Sequence, residues 1–281
     1  MRRNQFHQKR SLGQVFLKVD WPVRRLVEKL HQWNVRRVME IGPGAGILTR
    51  ALAEGKWDLT VVEKDDRFAE KLREEAWRMS TLGASSFEVV GQDFLKFDLD
   101  EWLGRTHEPT AIVGNIPYNI STPILMRILP ILGSIKGSLL MTQLEFAKRL
   151  SGRPQTRDYG SISVFTQLRA LPSIEYVVPR TCFKPVPKVD SAVVALQKLS
   201  SGYGETELKR AEWIARAAFS QRRKKLRNSI SQYLDADKEA GSPIDLERRA
   251  ETLSPQEFLR LGEYLAPNEE EEQGSENRRG R

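Results

Sequence analysis

The sequence predicts an α/β protein built on a doubly wound, mostly parallel sheet, followed by a small all-helical C-terminal domain. Two observations carry this prediction. Short apolar runs alternate with segments long enough for crossover helices along the first half of the chain, whereas beyond Gly204 apolar residues recur only at helical spacing. Because parallel neighbours in a sheet need long crossover connections, the alternation favours a parallel sheet.

The predicted elements follow in chain order. An amphipathic first helix is indicated by apolar residues three or four positions apart, namely Val23, Leu26, Val27, Leu30 and Trp33. Five apolar runs predict strands at 38–41, 59–62, 87–90, 111–113 and 139–141. Ser121 and Thr122 before Pro123 predict a helix that continues through 124–132. Residues 115–118 therefore fall in a strand-to-helix loop.

The C-terminal part is predicted to be helical. One helix face collects the apolar residues Leu208, Ala211, Ala215, Ala218 and Phe219. A capping box at 254–257 predicts the start of a last helix. We therefore expect an α/β domain over 1–200, a helical domain over 201–266 and a disordered tail over 267–281, where almost nothing apolar is available to bury.

Composition excludes several classes of protein. The 281 residues contain no apolar run near the ~20 residues of a membrane helix, and the first residues lead into no apolar signal core, so we expect a cytoplasmic protein. Cys182 is the single cysteine and the three histidines are scattered, which predicts no metal site. The net charge of +8 is the sign expected of a protein that meets polyanions, although charge alone is weak support.

A glycine-rich turn follows the first strand of the predicted sheet. Gly42, Gly44 and Gly46 stand between that strand and a helix expected near Ile47, where glycines allow a ligand to approach the backbone. Glu63 stands at the tip of the second strand, where a carboxylate can accept both hydroxyls of a ribose. The pair predicts an adenosine-containing cofactor. It does not separate NAD from other adenosine cofactors, and a tight turn without a ligand also remains open.

Two further strand ends carry candidate chemistry. Asp93 could accept from an adenine amine while Phe94 packs near the ring, although Asp93 by itself is typical of a solvated loop acid. Asn115 and the carbonyl of Ile116 could hold the amine of a substrate adenine, with Pro117 making the loop rigid and Tyr118 offering a stacking face. Such acceptors suit N6 methylation. The lone pair of the adenine amine is delocalised into the ring, so the amine is a poor nucleophile, and acceptors that hold it favour its attack on a methyl group.

The densest basic run lies directly after Phe219 and comprises Arg222, Arg223, Lys224, Lys225 and Arg227. Runs of this kind are usually solvated helix faces. Beside an adenine-modifying site, RNA contact is favoured instead, since phosphate neutralisation supplies much of the affinity for nucleic acid.

Taken in order, these motifs resemble the ribosomal RNA adenine dimethyltransferases, closest to the bacterial small-subunit branch. The resemblance extends over about residues 8–265 and rests on motifs at 14–17, 40–46, 63, 93, 115–118, 158–160, 183–191 and 219–229. It implies a class I, Rossmann-like, S-adenosylmethionine-dependent methyltransferase. It further implies dimethylation of two adjacent adenosines in the 3′-terminal hairpin of small-subunit ribosomal RNA during ribosome biogenesis, by a protein that we expect to be a monomer.

The resemblance also implies roles for individual residues. Leu17, Gly42, Glu63, Asp93 and Asn115 match positions that contact S-adenosylmethionine. Phe183 matches an aromatic that covers a flipped adenine opposite Tyr118, with a place in the hydrophobic core as its alternative. Val15 departs from the family pattern, which usually has a polar residue there. The alternatives are a large-subunit adenine methyltransferase of the macrolide-resistance type, a non-catalytic RNA-binding relative, and an NAD oxidoreductase.

Overall fold

The computed structural model describes residues 16–200 and 202–266, so Val15 and the predicted tail lie outside the described residues. Within them, contacts divide the chain into two compact units. One contains 16–148 and 169–198, and the other contains 149–168 and the described residues from 199 onward. The sequence placed 149–168 in the first domain, whereas the structure groups this segment with the C-terminal helices.

The first unit is built on a seven-stranded sheet and a separate two-stranded sheet. Its strands are β1 (Phe16–Leu17), β2 (Arg37–Ile41), β3 (Asp58–Glu63), β4 (Ser86–Gly91), β5 (Thr110–Asn115), β6 (Gly137–Gln143), β7 (Ala170–Val178), β8 (Phe183–Lys184) and β9 (Ser191–Lys198). The large sheet has the order β4-β3-β2-β5-β6-β9-β7, and β1 pairs with β8. The neighbours from β4 to β6 are parallel, while β9 pairs antiparallel with both β6 and β7.

Helices alternate with these strands as the sequence predicts. Their bounds are α1 (Trp21–Gln32), α2 (Ile47–Ala53), α3 (Asp66–Glu74), α4 (Ala76–Leu82), α5 (Leu99–Gly104), α6 (Ser121–Ile128), α7 (Leu144–Leu150), α8 (Ser161–Arg169), α9 (Glu205–Ser220), α10 (Leu226–Ser229), α11 (Ala236–Ala240) and α12 (Pro255–Leu265). The predicted helix over 124–132 ends earlier, at Ile128, and continues as a 3₁₀ turn. The capping box at Ser254 and Glu257 is confirmed.

The order of the strands places a ligand crevice. From β2 the chain runs outward through β3 and β4, then returns to the other side of β2 with β5 and β6. The switch in direction thus lies between β2 and β5, and doubly wound sheets bind ligands beyond the carboxyl ends of the strands at such a point. The strands are held by a core in which Leu26, Val38 and Leu59 are almost completely buried.

The second unit is held by close packing between its helices and one buried tyrosine. A Cβ at Gly262 of α12 would lie 2.7 Å from the backbone of Arg210 in α9, so these helices approach one another at a point where only glycine fits. The Tyr159 hydroxyl donates to the Leu253 carbonyl at 2.8 Å, and its ring meets Phe219 edge-on. These contacts explain why 149–168 belongs to this unit.

Candidate active site

The glycine turn after β2 has the backbone that the sequence analysis expected. Gly42, Gly44 and Gly46 have φ values of 63°, 51° and 77°, all in the left-handed region, and α2 begins directly afterwards. A Cβ at Gly44 would also lie 3.1 Å from the Phe16 ring. The turn therefore brings bare backbone to the carboxyl edge of the sheet.

A cavity of about 250 Å³ lies at this edge, entirely within the first unit. It is lined by residues from the ends of β2 to β5 and by the short strand β1, including Leu17, Glu40, Gly42, Gly44, Glu63, Lys64, Asp93, Phe94, Asn115, Ile116 and Pro117. Most residues predicted to contact the cofactor are thus brought together. Gly46, Tyr118 and Phe183 are not among its lining residues.

Glu63 stabilises the glycine turn through a hydrogen bond to its backbone. Its Oε2 accepts the Gly44 N–H at 2.9 Å, and its Oε1 accepts the Asp65 N–H at 2.8 Å. Burial raises the pKa of this carboxyl, and the backbone donors oppose that rise. A carboxylate has about four lone-pair positions, so each oxygen can still accept from a ligand hydroxyl.

Asp93 is held in an ion pair that the sequence analysis missed. Its Oδ2 lies 2.7 Å from Lys64 Nζ and its Oδ1 accepts the Leu95 N–H at 3.0 Å. The Lys64 hydrogen bond is the main cause that lowers the pKa of Asp93, so the acid is a charged acceptor at neutral pH. The adjoining loop is anchored by Arg127, which donates to the carbonyls of Phe94 and Phe97 at 2.7 and 2.6 Å.

The loop after β5 is fixed by bonds to β6 and β9. The Ile116 N–H donates to the Met141 carbonyl at 2.9 Å, and Tyr118 Oη lies 2.9 Å from the Ser191 hydroxyl. Burial raises the pKa of Tyr118, so it stays a neutral phenol. Ser191 is fully buried at the start of β9, and its part in placing Tyr118 could not be read from the sequence.

The structure contradicts the expected exposure of Phe183. Its relative exposure is 0%, and it belongs to the hydrophobic core of the first unit. Leu17 is its partner in the β1–β8 pair. Because successive side chains of a strand point to opposite faces, Phe183 turns inward while the neighbouring Lys184 is exposed. The core alternative therefore holds, and Phe183 presents no ring face to a base in this structure.

Four cations of the basic run lie in the turn between α9 and α10, and the fifth, Arg227, lies in the short helix α10. Three of its cations are engaged within the second unit: Arg222 lies 2.8 Å from Glu251, Lys225 lies 2.5 Å from Glu247, and Arg227 pairs with both Glu239 and Glu247. Arg222 also donates to the carbonyls of Thr156 and Arg157. Among the described residues, Arg223 and Lys224 are exposed and form no ion pair.

Glu40 is a cavity residue that the sequence analysis did not single out. Its side chain is 1% exposed, and its Oε2 has no hydrogen-bond partner within the described part of the chain. Burial is the main cause that raises the pKa of Glu40 to about 8. A buried, unpartnered carboxyl oxygen in a cavity wall is available for a hydrogen bond to a ligand.

Two negative findings apply to the residues that the structure describes. No group of three or more His, Cys, Asp or Glu side chains there could hold a metal ion. No helix of 16–200 and 202–266 has the length and apolarity needed to cross a membrane.

Comparisons with known proteins point to one family. The family model described as ribosomal RNA adenine dimethylase matches residues 5–267. The ribosomal RNA small subunit methyltransferase A of Chlorobium phaeobacteroides (strain BS1) is 39% identical over 261 residues, covering 92% of this chain and 94% of the relative. The protein of the same name from Histophilus somni (strain 2336) is 36% identical over 263 residues, covering 92% and 93%.

Two solved structures resemble most of the chain. The 23S rRNA methyltransferase ErmE is similar at a TM-score of 0.63 with 30% identity, covering 90% of this chain and 100% of that one. A dimethyladenosine transferase from Plasmodium falciparum reaches a TM-score of 0.69 at 22% identity, covering 88% and 95%, and this similarity concerns the fold alone.

Proposed function

Because the chain belongs to the ribosomal RNA adenine dimethylase family, we propose that it uses S-adenosylmethionine to dimethylate the N6 amines of two adjacent adenosines in the 3′-terminal hairpin of small-subunit ribosomal RNA. Its partner is the immature small ribosomal subunit. The observation that carries the proposal is the position of Asn115 and Ile116 in the wall of the same cavity as the glycine turn and Glu63.

The cavity has the donors and acceptors that the cofactor requires. Backbone at Gly42 and Gly44 can approach the amino-acid part, Glu63 can accept from the ribose, and Asp93 with Phe94 can bind the adenine. The unpartnered Oε2 of Glu40 is available for a hydrogen bond to the cofactor. When bound, S-adenosylmethionine supplies a methyl group that is already activated by its sulfonium.

The chain's own task is to hold the substrate amine. Asn115 Oδ1 and the Ile116 carbonyl accept its hydrogens and direct its lone pair toward the cavity. The bond from Ile116 N–H to Met141 fixes this loop to the sheet before substrate arrives. Tyr118, half-buried and held through Ser191, supplies the stacking face. A non-catalytic relative would have no need of these acceptors beside a cofactor cavity.

The choice of ribosomal subunit rests on the relatives. The two relatives described above that are named for the small subunit are 36% and 39% identical, and the 23S enzyme ErmE is 30% identical. The segment 219–229 favours the small-subunit group. The protein should therefore label undermethylated small subunits from radioactive S-adenosylmethionine, and should leave large-subunit RNA and adenine-containing DNA unlabelled. Labelling of large-subunit RNA alone would assign it to the other branch, and no labelling of any RNA would refute the proposal.

A further inference from the structure

The loop over 179–190, which joins β7 to β9 and includes the short strand β8, carries three cations at the cavity edge of the sheet. β9 runs antiparallel to β6 and begins at Ser191, opposite Gln143 at the carboxyl end of β6. The loop over 179–190 therefore lies at the edge where the parallel strands end. The Leu144 N–H donates to the Asp190 carbonyl at 3.0 Å and ties the end of the loop to this edge.

Four cations gather here, and we call them the rim cluster: Lys18, Arg180, Lys184 and Lys188. All four are exposed. Lys184 stands opposite Phe16, which lines the cavity, in the β1–β8 pair. The Lys18 N–H donates to the Cys182 carbonyl at 2.9 Å, which continues this pairing. The rim cluster thus lies beside β1, whose residues Phe16 and Leu17 line the cofactor cavity.

The loop is closed by its own hydrogen bonds. Arg180 donates its backbone N–H to Asp190 Oδ1 at 2.8 Å and a guanidinium N–H to the Lys188 carbonyl at 3.3 Å. Asp190 is the single acid of 179–190. Three of the four cations are thus presented on a loop closed by hydrogen bonds, which lowers the entropy cost of binding a ligand.

The charges of the rim cluster are not neutralised within the described residues, where none of its four members forms an ion pair. Some other exposed cations of the first unit do form ion pairs, as Arg67 does with Asp65 at 2.7 Å and Arg105 with Glu101 at 3.2 Å. In the basic run at 222–227, three cations also form ion pairs with carboxylates of the same unit. Unpaired cations beside an adenine site are available for phosphates.

We propose that the rim cluster binds the phosphate backbone of the substrate RNA beside the adenine that enters the cavity. This inference rests on the proposed function and gives the loop over 179–190 a role other than aromatic stacking, since Phe183 is buried. Phosphate contacts position an RNA without reading its sequence. The surface should accordingly set affinity and register, while the loop at Asn115 selects adenine.

The test compares two triple variants of the full chain. In the first, Lys18→Ala, Lys184→Ala and Lys188→Ala remove three charges of the rim cluster and leave Arg180, which holds the loop closed. In the control, Arg36→Ala, Lys136→Ala and Lys198→Ala remove three exposed cations next to the amino ends of β2 and β6 and at the end of β9, the opposite edge of the sheet. Both variants lose the same charge from the same unit.

The readout is equilibrium binding to a transcript of the 3′-terminal small-subunit hairpin over a range of salt concentrations. The rim variant should bind at least ~10-fold more weakly, and its log–log salt slope should be shallower by about two to three, since each lost phosphate contact contributes roughly 0.7–0.9. The control variant should stay within about twofold of wild type. Calorimetry with S-adenosylmethionine should show that both variants retain an intact cavity.

The possible failures are distinguishable. If the wild type binds and methylates RNA but the rim variant matches the control, this proposal is overturned and the proposed function stands. If the rim variant loses affinity for whole small subunits but not for the bare transcript, the surface meets a ribosomal protein, which also overturns it. If wild type neither binds nor methylates RNA, the proposed function itself fails.

Discussion

At the scale of single residues, the cavity contains a carboxyl group that is costly to bury. Glu40 faces the hydroxyl of Thr49 and the guanidinium of Arg50 from α2, and the carboxylate of Glu63 from β3. Burial and the neighbouring acid favour the protonated form, while Thr49 and Arg50 favour the ionised form. The balance raises the pKa of Glu40 from an ordinary 4.5 to about 8.

This shift predicts how stability depends on pH. Between pH 4.5 and about 8 the folded protein holds a proton on Glu40 that the unfolded chain has released. The stabilising contribution is thus complete below the unfolded pKa and is lost as pH rises through the folded one. Denaturant unfolding from pH 5 to 8 should show a fall in the free energy of unfolding that is smaller in Glu40→Gln. Equal slopes in both proteins would place an ionised carboxylate at this position.

The role of Asn115 gives a kinetic prediction. An acceptor that acts mainly in the transition state should affect kcat more than binding. Asn115→Ala should therefore lower kcat for RNA methylation at least ~10-fold, while RNA affinity measured at equilibrium changes by less than about threefold. Single-turnover rates at saturating cofactor would check this. An unchanged kcat, or a loss confined to RNA binding, would assign Asn115 to positioning alone.

At the scale of elements, one glycine sets the distance between two helices. A Cβ at Gly262 would meet backbone atoms of Arg210 at 2.7 Å, and backbone cannot swing aside as a side chain can. Gly262→Ala should destabilise the second unit by about 1–3 kcal/mol. Gly104→Ala in α5 is the matched control, because no atom lies within 4 Å of its added Cβ. Thermal denaturation of both variants measures the difference, and equal Tm values would contradict the observed packing.

The cations of the basic run differ in their contacts, so we expect them to have two different roles. Arg222 bonds to Glu251 and to two carbonyls of 156–157, so Arg222→Ala should lower Tm. Arg223→Ala with Lys224→Ala should leave Tm unchanged and weaken RNA binding with a salt slope shallower by about one per contact. If the double variant binds RNA as tightly as wild type does, these two cations do not contact the RNA.

Local patterns explain which elements the sequence predicts correctly. Apolar runs identify β2 to β6 to within about two residues, and for the inner strands β2, β3, β5 and β6 this is because strands covered on both faces need such runs. The burial of Phe183 is different, since it depends on pairing between β1 and β8, which lie far apart in sequence. Likewise, the partners of Arg222, Lys225 and Arg227 are acids at 239–251 that no spacing rule connects to them.

At the scale of the whole molecule, the cavity combines residues from five strand ends. The glycines of the turn after β2 and Glu63 could be predicted, because they stand at the carboxyl ends of strands in a doubly wound sheet. Lys64, Ser191 and Glu40 could not, because their importance arises from contacts and burial rather than from residue type. The segment 149–168 joins the helical unit through Tyr159, another contact without a local signal.

Nucleoside mass spectrometry can test whether this chain dimethylates adenine in small-subunit ribosomal RNA. Undermethylated small subunits are incubated with S-adenosylmethionine and the protein, and their RNA is digested and quantified. We expect two N6,N6-dimethyladenosines per small-subunit RNA in adjacent positions of the 3′-terminal hairpin, and far fewer with Asn115→Ala. Dimethyladenosine elsewhere in the RNA, a different methylated nucleoside, or no product with the wild type would contradict it.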